Sequence, residues 1–127
     1  MNNEQKTSLF AKADRAARSA RALLDINDTD GACDRAYYAM FDAARAALLH
    51  VGADLPRTHS GTATLFSQQL VKPGLLPKHL GRDLNRVEDL RNIADYLLQS
   101  VDDENAKDAV SRAEAFVQHI QSYLNEP

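Results

Sequence analysis

The sequence predicts an all-α fold: an up-and-down antiparallel four-helix bundle with an additional short helix. Ala and Leu dominate, Trp is absent, and Gly and Pro are sparse, a composition that favours helices over strands. Apolar residues recur at helical spacing in four long segments with short connections, as in up-and-down bundles. Because 127 residues suffice for one buried core and are too few for two, we expect one domain over residues 1–127.

Apolar stripes and end signals predict the first two helices. The second helix begins at a cap formed by Thr29 or Asp30, runs through His50, and ends at Gly52, a residue suited to a left-handed terminus. The first helix spans about 3–24 and ends before the polar run DINDTDG. Its apolar stripe consists of Leu9, Phe10, Ala13, Ala16, Ala17, Ala20 and Leu24.

Three further helices follow. Thr58 and Ser60 are candidate caps for a short third helix that ends near Val71, after which the run KPGLLP breaks the chain. The stripe that predicts the long fourth helix consists of Leu80, Leu84, Val87, Leu90, Ile93, Ala94 and Leu97. Asp102 or Asp103 caps the last helix, whose stripe consists of Ala109, Val110, Ala113, Phe116, Val117, Ile120 and Leu124.

Charge and apolar content exclude several classes of function. The formal net charge is −3, so no global positive field attracts nucleic acid, and RNA binding would need a local basic cluster. The lone Cys33 cannot form an internal disulfide and is expected to be a small buried hydrophobe. No segment approaches the roughly 20 apolar residues of a membrane span, and a signal-peptide run is missing. We expect a soluble cytoplasmic protein.

The segment 30–49, DGACDRAYYAMFDAARAALL, carries the most information, because its predicted helix has an apolar side and an unusual polar side. Arg35, Tyr38, Asp42 and Arg45 lie three or four residues apart on the polar side and form what we call the polar ridge. One interpretation is a salt-bridged surface face with the tyrosine packed between charges. The other is a phosphate clamp, because Arg offers a planar fork to phosphate and Tyr can stack on a base.

A second segment, RNIADY at 91–96, repeats the same residue types on the fourth helix. Arg91 lies one turn before Asp95 and about one turn after Glu88, so a carboxylate on either side can hold it. The pair is either an edge salt bridge or part of a partly buried polar site that faces another helix or subunit. Tyr96 lies about 140° around the helix from Arg91, which hints at an interface. We expect the two segments to meet.

The run RTHSG, residues 57–61, precedes the third helix. Free backbone N–H groups and the helix dipole favour an anion there, to which Arg57 would add a positive charge. His59 could donate to a phosphate or transfer a proton. The plain alternative is capping by Thr58 or Ser60 beside an exposed histidine.

The sequence contains no recognisable metal or cofactor motif. His50, His79 and His119 lack the spacing of zinc ligands. A Gly-rich phosphate loop, a Ser-His-Asp order and a two-metal carboxylate cluster are also absent. We therefore expect neither a metal ion nor a cofactor.

Three motifs, DRAYYAMF (34–41), RTHSG (57–61) and RNIADY (91–96), resemble those of the HEPN domain (higher eukaryotes and prokaryotes nucleotide-binding). The resemblance spans nearly the whole chain. It implies an up-and-down helical bundle, a homodimer, and a partner that is a minimal nucleotidyltransferase antitoxin encoded beside it. Many HEPN domains are metal-independent ribonucleases, in which an Arg and a His separated by four to six residues lie at the dimer interface.

Carried onto this chain, the family's arginine is Arg91, whereas the matching positions 96–98 hold no histidine. Metal-free RNA cleavage needs one group that takes the 2′-hydroxyl proton and another that stabilises the phosphorane. A tyrosine such as Tyr96 is a poor base, because its ordinary pKa is about 10. The ribonuclease mechanism therefore requires His59 from the loop, or from a second subunit, to replace the missing histidine.

Three hypotheses about function follow. The first is a HEPN homodimer that works with a nucleotidyltransferase and binds nucleotide or RNA in a groove at the dimer interface, through Arg35, Tyr38, Asp42, Arg57, Asp95 and Arg91. The second is a metal-independent endoribonuclease that uses Arg91 with His59 or Tyr96. The third is a non-catalytic helical interaction module whose apolar faces bury a partner.

Overall fold

A computed structural model describes residues 2–126, most of which are helical. Among the described residues there is no β-strand, so the predicted all-α fold is confirmed. The π-helical turn Ser67–Val71 continues the third helix. In chain order the five α-helices of this part of the chain are α1 (Asn2–Asp25), α2 (Thr29–His50), α3 (His59–Phe66), α4 (Lys78–Tyr96) and α5 (Asp103–Leu124).

The second helix, α2, is the central element and packs against each of the other four α-helices. No residue of α2 is exposed, and its many alanines let the neighbouring helices approach closely. The polar ridge is therefore half-buried or buried, whereas the salt-bridge interpretation of the sequence supposed a solvated surface. The reason is tertiary: α1, α3 and α4 pack beside the polar side of α2, which periodicity within one helix cannot reveal.

Contacts between side chains show that α4 and α5 run antiparallel. Arg112 of α5 pairs with Asp83 of α4, and Arg86 donates to Asn105 at 3.0 Å. Residue numbers thus fall along α5 as they rise along α4. This agrees with the antiparallel arrangement predicted from the short connections.

Three predicted helix ends are present. Thr58 Oγ1 accepts a hydrogen bond from the N–H of Gly61 at 2.9 Å, and Asp102 Oδ1 accepts one from Asn105 at 2.8 Å. Gly52, just after α2, has a φ of 80°, in the left-handed region that glycine adopts without steric cost. Local chemistry therefore determines these three ends.

The start of α2 differs from the prediction. Asp28 is its N-cap and accepts a hydrogen bond from the N–H of Gly31 at 2.9 Å, whereas Thr29 and Asp30 were the expected caps. Three cap-type residues follow one another here, so the sequence did not distinguish them. Asp30 instead accepts from the backbone N–H of Val101 at 2.8 Å, which fastens the connection after α4 to α2.

The core lies between α2 and the helices around it, and its largest fully buried side chains include Tyr37, Met40, Phe66 and Phe116. Cys33 is fully buried, as predicted, and burial raises the pKa of its thiol to about 11. No helix within residues 2–126 combines the length and apolar content needed to cross a bilayer. The packing of this core brings the N-terminal half of α2, the start of α3 and the C-terminal half of α4 together.

Candidate functional site

Arg91 of α4 is held by side chains from two helices. Its Nε lies 3.4 Å from Asp34 Oδ1 and 3.2 Å from Asp95 Oδ2. Its Nη2 donates to the hydroxyl of Tyr38 at 3.3 Å. Because Asp34 and Tyr38 belong to α2, the guanidinium connects α2 with α4. The side chain of Arg91 is 21% exposed, so solvent and ligands still reach part of it.

The charge of Arg91 is balanced locally. Burial disfavours the charged guanidinium, but Tyr38, Asp95 and Asp34 outweigh this effect and raise the pKa of Arg91. The group is therefore a permanent cation at physiological pH. Two carboxylates accompany this one positive charge, so a phosphate that approaches Arg91 must displace a carboxylate or bind with the help of other cations.

Two tyrosine rings flank the guanidinium of Arg91. Its Cζ lies 5.2 Å from the ring centroid of Tyr37 and 5.3 Å from that of Tyr38. Arg35 approaches the same Tyr38 ring, with its Cζ at 5.8 Å, and all three distances suit cation–π contact. The segments that carry Arg35 and Arg91 therefore meet at one aromatic ring, as the sequence analysis expected. Within residues 2–126 no carboxylate forms an ion pair with Arg35.

His59, the first residue of α3, packs against the same aromatic group. Its ring centroid lies 4.4 Å from that of Phe41, 5.4 Å from Tyr37 and 5.9 Å from Tyr38. The side chain is half-buried, whereas the plain capping interpretation supposed an exposed histidine. Thr58 nevertheless caps the N-terminus of α3, so the loop before α3 both starts the helix and positions the imidazole of His59. We call Arg91, Arg35, Asp34, Asp95, Tyr37, Tyr38 and His59 the Arg91 cluster.

Glu88 has a different partner from the one expected. The sequence placed it near Arg91, but it accepts a hydrogen bond from the Tyr37 hydroxyl at 3.2 Å. Burial and the Glu88 carboxylate both raise the pKa of Tyr37. The phenol therefore stays protonated, and Tyr37 supplies a fixed aromatic face rather than a base.

The other predicted site residues lie around or outside the cluster. Asp42 is buried and contacts Arg45 at 3.4 Å, one turn along α2 from Tyr38. Arg57 is exposed, and no hydrogen bond or ion pair joins it to another residue between 2 and 126. Tyr96, the last residue of α4, is 82% exposed. Within residues 2–126 no hydrogen bond joins Tyr96 to Arg91, whereas His59 and Arg91 contact the same two tyrosine rings.

Sequence reasoning missed two residues of the cluster. Asp34 lies four residues before Tyr38, so helical spacing placed it on the same side of α2, and that signal could have identified it. Tyr37 was assigned to the apolar side, which its burial supports, but its hydroxyl and ring face the polar site. The charged groups that Tyr37 contacts, Glu88 and Arg91, both belong to α4, so the position of α4 determines these contacts.

The arrangement combines three chemical capabilities. Aromatic faces at Tyr38 and His59 can stack on a nucleobase. The Arg35 guanidinium offers donors that can bind two phosphate oxygens at once, and an imidazole can transfer a proton near neutral pH. No group of three or more His, Cys, Asp or Glu side chains in residues 2–126 is placed to hold a metal ion.

Comparisons with known proteins agree over nearly the full length. The family model described as HEPN domain matches residues 7–123. A UPF0332 protein of Gloeobacter violaceus is 34% identical over 98% of this chain and 98% of its own length. A UPF0332 protein of Thermotoga maritima is 32% identical over 99% and 97%, respectively. A Methanocaldococcus jannaschii protein named "Putative toxin" is 31% identical over 97% of this chain and 91% of its own length.

Proposed function

This chain belongs to the HEPN domain family, and on that premise we propose that it is the toxin-like member of a toxin–antitoxin pair. Its antitoxin is a minimal nucleotidyltransferase, and its ligand is nucleotide or RNA. Two relatives named "Putative toxin" support the toxin-like role. The observation that carries the binding proposal is the convergence of Arg35 and Arg91 on the ring of Tyr38, with His59 beside it.

The ligand binds through stacking and phosphate contacts. A base that stacks on an aromatic side chain gains about 1–3 kcal/mol, and Tyr38 and His59 provide such faces. Arg35 binds the adjoining phosphate, because its guanidinium has no competing carboxylate within the described part of the chain. Arg91 acts mainly by holding Tyr38 in place through the 3.3 Å hydrogen bond, since Asp34 and Asp95 already occupy its Nε.

The binding groove lies at a homodimer interface in this proposal. Apolar side chains are exposed at the end of α4 and just beyond it: Ile93, Tyr96, Leu97 and Leu98. Several exposed apolar side chains within one short segment are typical of protein interfaces. Sedimentation of the wild type and of Leu98→Glu tests the dimer: the wild type sediments at twice the chain mass and the variant as a monomer. A wild type that remains monomeric at every concentration contradicts it.

A second function, metal-independent cleavage of RNA, is favoured by one observation. His59 and Arg91 both lie against the rings of Tyr37 and Tyr38. In this mechanism the His59 imidazole takes the 2′-hydroxyl proton as the 2′-oxygen bonds to phosphorus, and Arg91 stabilises the phosphorane. The P–O5′ bond then breaks, and the imidazolium returns the proton to the leaving 5′-oxygen. The exposed Tyr96 has no role in it.

Binding and cleavage are tested separately. Fluorescence anisotropy with labelled RNA and nucleotide measures binding, and we expect Arg35→Ala to weaken it about tenfold or more. If Arg35→Ala and Arg91→Ala bind as the wild type does, the site is misplaced. For cleavage, pure protein is incubated with RNA in a chelator. Cleavage that disappears in His59→Ala and Arg91→Ala supports the ribonuclease, and no cleavage at any protein concentration removes it.

A further inference from the structure

A cavity of about 410 Å³ opens between the first half of α1 and the C-terminal half of α2. Two cations line it, Lys12 from α1 and Arg45 from α2, together with the hydrogen-bonding side chains of Gln5 and Ser8. One acid, Glu4, also lies at its edge and is exposed. Leu9 and Leu55 complete the lining, and Asp42 offsets part of the charge of Arg45. The donors of Lys12, Arg45, Gln5 and Ser8 suit an anion.

Arg45 has unused hydrogen-bonding capacity at this cavity. Its Nε is the one buried side-chain nitrogen or oxygen in residues 2–126 that has no hydrogen-bond partner. Its single ion pair, from Nη1 to Asp42 Oδ1, is long at 3.4 Å. A guanidinium carries five N–H donors in a planar fork, and buried donors are normally paired. The Nε atom itself is shielded from solvent, whereas Nη2 has no hydrogen-bond partner within residues 2–126 and can donate to a ligand with acceptor oxygens, such as phosphate.

Arg45, which lines the cavity, contacts an aromatic neighbour of the Arg91 cluster, Phe41. The Cζ of Arg45 lies 5.4 Å from the ring centroid of Phe41. Phe41 in turn lies 4.4 Å from His59 and 6.4 Å from Tyr38, measured between centroids. Along α2 the rings of Tyr38 and Phe41 therefore lie between the cations Arg35 and Arg45, over about 15 Å of helix. Such a track suits several linked nucleotides better than one mononucleotide.

We propose that Lys12 and Arg45 form a second phosphate-binding subsite, which takes a phosphate of the same single-stranded RNA whose base stacks at Tyr38. The inference rests on the proposed RNA binding and adds a direction to it: the strand runs along α2 past Phe41 to the cavity beside α1. Gln5 and Ser8 donate to the remaining phosphate oxygens.

Two charge-removing variants, Lys12→Gln and Arg45→Gln, test the subsite by anisotropy with a labelled oligonucleotide of about ten nucleotides and with a labelled mononucleotide. Each variant should weaken oligonucleotide binding about three- to tenfold and leave mononucleotide binding unchanged. The slope of log K against log salt should become shallower by about 0.7 for each lost phosphate contact. Lys78→Gln, which removes an exposed lysine at the start of α4, is the matched control and should match the wild type.

The outcomes separate this inference from the proposed function. If both variants keep the wild-type affinity and salt slope while Tyr38→Ala weakens binding, the subsite is absent and RNA binding at Tyr38 stands. If mononucleotide affinity falls as much as oligonucleotide affinity, the two cations do not form a separate subsite. A wild type that binds no RNA overturns both proposals. Should Arg45→Gln fail to fold, the exposed Lys12→Gln decides the question by itself.

Discussion

Two arginines in this molecule each bridge two carboxylates across a pair of helices, but their surroundings differ. Arg112 of α5 contacts Asp108 at 2.7 Å and also pairs with Asp83 of α4 in a close contact. Arg91 contacts its two carboxylates at 3.2 and 3.4 Å. Two tyrosine rings flank Arg91, whereas no ring in residues 2–126 is in cation–π contact with Arg112.

The comparison teaches how to distinguish a structural ion pair from a candidate binding site. Hydrogen bonds to Asp108 and Asp83 outweigh burial and raise the pKa of Arg112, and these short contacts satisfy the guanidinium within the fold. The contacts of Arg91 are longer, and a histidine and a second arginine lie beside its aromatic neighbours. Ion pairing alone therefore says little about function. Aromatic faces next to a cation that forms no ion pair within residues 2–126, such as Arg35, indicate a candidate binding site.

The largest expected effect is the loss of RNA binding in Tyr38→Ala. Removing the ring removes a stacking face, so affinity for single-stranded RNA should fall about 10- to 100-fold. Tyr38→Phe keeps the aromatic face and loses only the hydroxyl that accepts a hydrogen bond from Arg91. The RNA affinity of this variant should therefore fall about threefold or less. Anisotropy measures both, and unchanged affinity in Tyr38→Ala would erase the contrast between the two arginine sites.

The second effect is on stability, at Arg112. Arg112→Ala leaves Asp83, whose side chain is 13% exposed, without its cation. The free energy of unfolding should fall by about 1–3 kcal/mol, with RNA affinity within twofold of the wild type. Urea unfolding measures the stability. Adding Asp83→Asn should recover part of the loss, because it removes the unpaired charge, and a double variant no better than the single one argues against this account.

A smaller effect is expected at Arg91→Lys. Lysine keeps the positive charge but cannot stack on the two tyrosines or present a planar fork. RNA affinity should fall about three- to tenfold, whereas Arg112→Lys should leave it unchanged. If anisotropy at one salt concentration shows equal losses of RNA affinity in Arg91→Lys and Arg112→Lys, the two arginine sites do not differ in function.

The smallest effect is a dependence on alkaline pH. The pKa of Tyr37 is raised in the folded chain by burial and by Glu88, so the unfolded chain loses this proton first as the pH rises above about 10. The free energy of unfolding therefore falls with rising pH in that range. Urea unfolding at about pH 8 and about pH 11 should show a smaller decline in Tyr37→Phe than in the wild type.

Arg112→Gln is the control for this pH test, because no tyrosine accompanies that ion pair, and it should decline as the wild type does. The buried Cys33, whose pKa is raised to about 11, contributes equally in all three proteins. If the free energy of unfolding of Tyr37→Phe falls with pH as much as that of the wild type, the contact between Tyr37 and Glu88 has no energetic consequence.

Sequence patterns predicted most of the fold because helices are largely determined by local residues. Apolar spacing located the helices, and the observed N-caps Thr58 and Asp102 were each one of two candidates that capping chemistry offered. The start of α2 was missed because neighbouring residues were chemically equivalent as caps. In the structure Asp28 caps α2, while Asp30 accepts a hydrogen bond from Val101 in the connection before α5.

The candidate site was predicted only in part, because its contacts join residues from three helices. Spacing grouped Arg35 with Tyr38, the run RNIADY drew attention to Arg91, and the family resemblance matched Arg91 to the family's arginine. The sequence could not show that Glu88 accepts a hydrogen bond from Tyr37, or that His59 packs on aromatic rings. Both depend on how α3 and α4 pack on α2, and that packing is set by apolar side chains elsewhere.

The most direct test observes the arginine side chains themselves. The Nε–Hε NMR signals of Arg35, Arg91 and Arg112 are followed while single-stranded RNA is added to the wild-type protein. The account predicts that the Arg35 and Arg91 signals shift with increasing RNA and that the Arg112 signal stays in place. It is contradicted if Arg112 shifts as much as Arg91, or if none of the three signals moves at saturating RNA.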